Sequence, residues 1–208
     1  MGAKERRGRE RERREREIID GARELFISKG FARTTMDDIV ARLELSKGGL
    51  YHHFESKDEL LYAAATAGLQ RFEEMILHEM AGKANGLDKV TAFGQAYVRF
   101  HMGEPGHRRV FGELAYASSP TGPRGRAFME QSERLNGLMV GSIEEGIRDG
   151  TIRPDVNPKL LAFSASSSLE GVLNALERRG GQLKGEGLYQ EEVLSYTFDI
   201  FRTAIGNR

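Results

Sequence analysis

The side chains best suited to chemistry lie between Phe31 and Tyr62, in the run FARTTMDDIVARLELSKGGLYHHFESKDELLY. Ser46 is followed by Lys47, Gly48 and Gly49, then by Tyr51 and His52, with Lys57 one element further on. These groups fit recognition of a phosphate backbone. The Ser46 hydroxyl can cap a helix or bond a phosphate, and the Lys47 ammonium can reach a phosphate or a base edge. Tyr51 and His52 follow one turn later, where phenol and imidazole can donate to phosphate or stack on a thymine methyl. Gly48 and Gly49 are poor helix formers, and their merit is the missing side chain, which lets backbone approach a partner closely. Lys57 and Thr35 each stand where a helix begins, and free backbone N–H groups attract phosphate there.

Short helices must hold these groups in place. Ile18, Ala22, Leu25 and Phe26 share one helical face, and Gly30 ends that helix. Thr35 with Asp38 reads as a cap for a second helix, whose apolar face is Met36, Ile39, Val40 and Leu43. After Glu44 and Leu45, Ser46 caps a third helix with Leu50, Tyr51 and Phe54 as inward candidates, so Tyr51 reads either as a core aromatic or as a phosphate contact. Ser56 and Glu59 form a capping box that opens a long fourth helix running to about Gly82. Two short helices joined by a tight turn and braced by a preceding helix make a helix-turn-helix.

The remaining chain reads as further helices near 87–102, 105–118, 122–149, 157–178 and 186–205, with breaks at Gly86, at Gly103-Glu104-Pro105-Gly106, from Pro120 to Pro123, from Pro154 to Pro158 and from Gly180-Gly181 to Gly187. The expected fold is therefore all-α, with about nine helices. A charged arm (1–17) precedes a three-helix helix-turn-helix domain (18–56) and a C-terminal helical bundle (57–208) for ligand sensing and dimerisation.

The segment closely resembles the TetR family of transcriptional regulators. The resemblance is carried by Gly30-Phe31, Thr34-Thr35, Asp38-Ile39, Ser46-Lys47-Gly48, Leu50-Tyr51, His53-Phe54, Lys57 and Leu60. The C-terminal part matches in helical layout and in the stretch from Gly146-Ile147 to Pro154, which looks like the connection between the seventh and eighth helices. The family usually has small residues at 40 and 43 and glycine at 44, where this chain has Val40, Leu43 and Glu44. The resemblance implies a ligand-responsive regulator, a repressor on a pseudo-palindromic operator, released by a small hydrophobic or amphipathic effector. Its partners would be double-stranded operator DNA, that effector and a second copy of the chain. An activator or a constitutive DNA binder uses the same contacts. A helical enzyme is a remote alternative, and no G-x-S-x-G, P-loop, H-E-x-x-H or G-x-G-x-x-G occurs. No cofactor or metal is expected, since His78, His101 and His107 lack paired-ligand spacing.

Composition sets the limits. The net charge is zero, and cysteine is absent, which excludes disulfides and thiolate metal sites. Residues 1–62 carry 14 basic and 13 acidic side chains, so DNA binding has to rest on local arrangement. The polar N-terminus is unlike a secretory signal, and a cytoplasmic location is expected. Residues 1–17 hold eight basic and five acidic side chains, read as a solvated arm or frayed helix laced with ion pairs, or as an arm touching DNA. Candidate pocket residues are Phe72, Met75, Phe93, Tyr97, Phe100, Phe111 and Met139. A small-residue stripe at Ser164, Ser168, Gly171 and Ala175, with Leu194, Phe198 and Phe201, is the expected dimer interface.

Overall fold

The computed structural model describes residues 2–103, 105–114, 117 and 119–207. Nine helices appear among them: α1 (Ala3–Lys29), α2 (Met36–Arg42), α3 (Lys47–Tyr51), α4 (Lys57–Met80), α5 (Gly86–Gly103), α6 (Pro105–Glu113), α7 (Gly122–Arg148), α8 (Pro158–Gly185) and α9 (Gln190–Ile205). Residue 104, in the expected break before Pro105, and residues 115, 116 and 118 of the helix expected near 105–118 lie outside the described residues. The helices group into two compact units, Met1–Arg71 with Gly103–Ser132 and Phe72–Met102 with Glu133–Arg208. The first unit thus extends past the boundary expected at residue 56, taking in the start of α4, α6 and the start of α7.

In the first unit the α1 stripe Ile18, Ala22 and Phe26 is fully buried with Ile39, Leu50, Phe54 and Leu60. The helix-turn-helix therefore shares one core with the start of α4 and with Val110 of α6. Leu43 stands where a smaller residue was expected, and α1 makes room for it with Gly21. A Cβ at Gly21 would sit 2.6 Å from Leu43 Cδ2, so a side chain there would oblige Leu43 to shift. Glu44 turns the chain with φ 54°, the left-handed conformation that glycine adopts without strain. The charged arm is helical and continuous with α1. Its pairs include Arg13 with Glu10 at 2.6 Å and Arg14 with Glu17 at 2.9 Å. Phe111, expected in a ligand pocket, packs instead against the core of the first unit beside Val110.

In the second unit α5 presents Phe93, Ala96 and Phe100 along one buried face. Phe72 meets Phe93 at 5.8 Å, Tyr97 at 5.8 Å and Phe100, stacked, at 5.0 Å between ring centroids. The cap of α8 is as expected: the Asn157 side chain accepts from Leu160 N at 3.1 Å, and Pro158 follows it. Gly180-Gly181, read as a break, is helical. Continuing the helix brings Leu183 against Leu173, Leu176 and Leu194, and that burial offsets the weak helix propensity of two glycines.

That packing corrects the expected interface on α9. Leu194 is buried within its own chain, and Phe198 and Phe201 turn inward to line a crevice with Met139. The outward face of α9 instead carries Tyr196 and Ile200, 69% and 52% exposed. On α8 the small stripe does face outward at Ser164, Ser168 and Gly171, beside Leu160 and Phe163, which are 67% and 72% exposed. Ala175 is half-buried. Among the described residues, no helix is long and apolar enough to cross a membrane.

Candidate nucleic-acid interface

One exposed face of the first unit gathers most of the residues singled out in the sequence. Leu50 anchors α3 in the core, fully buried, while its neighbours Lys47, Gly48 and Tyr51 lie on the exposed side. Tyr51 is 49% exposed, which removes the reading of it as a core aromatic. Ser46 Oγ accepts from Gly49 N at 3.0 Å, so its hydroxyl hydrogen stays available to an incoming acceptor. Gly48 has nothing within 4 Å of where a Cβ would stand. No packing constraint within the chain calls for glycine there.

Lys47 is held from across the turn. Its Nζ donates to Asp37 at 2.9 Å, and that carboxylate raises the ammonium above its ordinary value. The lysine therefore stays charged, with two further hydrogens free for phosphate. Spacing gave no sign of this pair, because Asp37 and Lys47 are ten residues apart on different helices.

Thr35 is tied more closely than its sequence position suggested. Its hydroxyl donates to Asp38 Oδ2 at 2.8 Å and accepts from Asp38 N at 3.1 Å, and its backbone N–H donates to the same carboxylate at 2.7 Å. Lys29 Nζ lies 2.6 Å from that oxygen. Hydrogen bonds from Lys29 and then from Thr35 hold the Asp38 carboxyl down to about 2. A phosphate at Thr35 would therefore meet a hydroxyl already committed to the capping box.

Lys57 also has a partner inside the chain. Its Nζ donates to the Phe31 carbonyl at 2.8 Å and sits 4.2 Å from the centre of the Phe31 ring. This contact fixes the entry to the helix-turn-helix. The ammonium retains two other donors.

His52 is exposed and His53 is turned in, their rings 5.3 Å apart and nearly perpendicular. His53 Nδ1 lies 3.5 Å from Glu15, which also takes Arg124 at 2.5 Å and Arg11 at 3.1 Å. Burial pushes the Glu15 carboxyl up, but hydrogen bonds from Arg124 and Arg11 outweigh it and hold it below its usual value. Arg11, Tyr51, His52 and Arg124 line one open cleft of about 370 Å³ with Glu55 and Glu59. Sequence reasoning missed this cluster because Arg124 lies more than a hundred positions from Glu15 and carries no motif.

Comparison with known proteins bears on this face directly. Residues 18–64 match the family model described as bacterial regulatory proteins, tetR family. The chain is 27% identical over 180 residues to the HTH-type transcriptional repressor KstR2 of Rhodococcus jostii, covering 82% of each protein. Its fold matches that of AibR in complex with isovaleryl coenzyme A and operator DNA, with TM-score 0.67 and 24% identity over 90% of this chain and 97% of that one. It also matches a putative transcriptional regulator from Saccharomonospora viridis in complex with choline, with TM-score 0.74 and 18% identity over 95% and 100% of the two chains.

Proposed function

We propose that this chain, whose residues 18–64 match the model of the tetR family of bacterial regulatory proteins, is a TetR-family regulator: a ligand-responsive repressor that grips a pseudo-palindromic operator as a homodimer. The observation that carries this reading is the outward face of α3, where a charged Lys47, a bare Gly48 and a half-exposed Tyr51 stand on a helix anchored by Leu50. Ser46, Gly49 and His52 complete the surface, and Lys57 and Thr35 support it from their helix starts. It acts by binding rather than by catalysis, in the cytoplasm.

Two heads are needed for useful affinity, so a second copy is expected against the apolar outward face of α8 and α9 at Leu160, Phe163, Tyr196 and Ile200. Relatives bound to isovaleryl coenzyme A and to choline support a small-molecule effector. We propose that its site lies in the second unit, at the rings of Phe72, Phe93, Tyr97 and Phe100, with Met75 three residues on from Phe72 in α4 and Met139 in the crevice lined by Phe198 and Phe201. The crevice beside Met139, Phe198 and Phe201 has about 40 Å³ of free volume, room for a few waters only. An effector has to part these side chains, and that gives it the differential affinity for one conformation on which release of DNA depends.

Fluorescence anisotropy with duplexes from the chain's own promoter tests the reading. Lys47→Ala and Tyr51→Phe should each weaken specific binding about tenfold or more, within the ~1–3 kcal/mol of a lost contact. Unchanged binding by both variants would remove α3 as the DNA-reading element.

A further inference from the structure

The Arg-rich start of α1 has no apolar face to bury, yet it is helical from Ala3 onward and exposed from Lys4 to Arg14. From residue 3 to residue 17 it spans about 22 Å at 1.5 Å per residue. Three of its five acidic side chains are taken by cations within the unit, and Glu5 accepts from Gly2 N. Glu10 takes Arg13, Glu17 takes Arg13 and Arg14, and Glu15 takes Arg11 and Arg124. Among the described residues, Lys4, Arg6, Arg7, Arg9 and Arg16 are left without an ion pair. Lys4, Arg7, Arg11 and Arg14 recur at spacings of three, four and three, so they share an arc of about 80° on the helix. Arg11, within that stripe, lines the same cleft as Tyr51 and His52 at the end of α3. The stripe therefore runs away from the recognition surface as a continuation of it.

We propose that this extension is a second DNA-binding element, whose Lys4–Arg7–Arg11 stripe lies along the phosphate backbone flanking the bases that α3 reads. The proposal rests on the DNA-binding reading above. Charge complementarity selects the occupant: a row of exposed cations, Lys4 and Arg7 unpaired and Arg11 sharing Glu15, runs on from the α3 surface and fits a polyanion already held there. The guanidinium contacts carry no base information, so they add affinity and salt dependence rather than sequence preference.

Lys4→Gln/Arg7→Gln isolates the effect, because both side chains are exposed and support nothing else in the fold. The probe is a duplex enriched by the full-length protein from a random-sequence library. It is used trimmed to its palindrome, and again with ~10 flanking base pairs, one helical turn, on each side. On the flanked duplex the double variant should bind about tenfold more weakly at low salt. Its slope of log affinity against log salt should fall by about two units for each extension engaged. On the trimmed duplex the variant and the unaltered protein should bind alike. Lys4→Glu/Arg7→Glu should enlarge the loss on the flanked duplex alone. Equal slopes on the flanked duplex, or equal losses on both duplexes, would overturn the flanking contact. Unaltered protein that enriches no sequence would overturn the DNA-binding reading itself, and this proposal with it.

Discussion

Gly48→Ala should make the protein more stable and a worse DNA binder. Gly48 lies in the first turn of α3, and a Cβ there meets no atom within 4 Å. The added methyl causes no clash and removes freedom from the unfolded chain. Alanine in a helix is favoured over glycine by about 0.5–1 kcal/mol, less near a helix end. In a chain of this size that raises the unfolding midpoint by about 1–3 °C. Within the chain, then, glycine at 48 is a small loss. It is explained if the backbone of α3 closes on DNA at that point, where a methyl would hold a phosphate or base edge away. Removing one close contact of that kind costs about 1–3 kcal/mol, so affinity should fall roughly tenfold or more. Thermal unfolding followed by circular dichroism and anisotropy on an enriched duplex read the two effects separately. A variant that is more stable and binds with undiminished affinity would refute the argument that α3 approaches DNA through Gly48.

Acid should loosen the first unit only below about pH 4. Asp38 is held at about 2 by Lys29 and Thr35, below its unfolded value, so its contribution is present above the unfolded value and disappears as pH falls through the folded one. Asp38→Asn should flatten the pH dependence of unfolding between about pH 4 and 2, and an unchanged slope would place the loss elsewhere. Lys57→Ala removes the hydrogen bond to the Phe31 carbonyl and the contact with its ring. It should cost about 1–2 kcal/mol in urea unfolding, and if the amine also reaches phosphate the salt slope falls by about one unit. Gly86→Ala would place a Cβ 2.0 Å from Gly146 N, a backbone atom that cannot swing aside. Overpacking of about 1–3 kcal/mol should appear as a lower unfolding midpoint. Phe163→Asp, on the exposed face of α8, should yield a monomer by light scattering and leave the helical content unchanged.

The sequence made the head legible because local signals agreed there. Apolar periodicity at Ile18, Ala22 and Phe26, caps at Thr35 and Ser46, and the short turn all pointed to one arrangement, and each has its bond in the structure. Glu44 in the left-handed region was foreseeable from its place in the turn. Contacts between distant segments were not. Nothing local pairs Glu15 with Arg124, or Lys57 with the Phe31 carbonyl. Helix α9 was misread for a related reason. Its stripe Leu194, Phe198 and Phe201 is apolar whether it meets its own chain or another, and only the packing against Leu173 and Leu176 decides that Leu194 turns inward. Gly180-Gly181 misled because glycine propensity is a weak term beside the burial of Leu183.

The most direct test of the account is where DNA touches the protein. A photo-crosslinking amino acid placed at Tyr51, on the exposed face of α3, should join the protein to an enriched palindromic duplex. The adducts should map to two symmetric positions one helical turn apart, about 34–36 Å, or a multiple of it. The same group placed at Phe163 on α8 should give protein–protein adducts instead. Crosslinks to DNA from Phe163 and none from Tyr51 would contradict the assignment of α3 as the recognition helix.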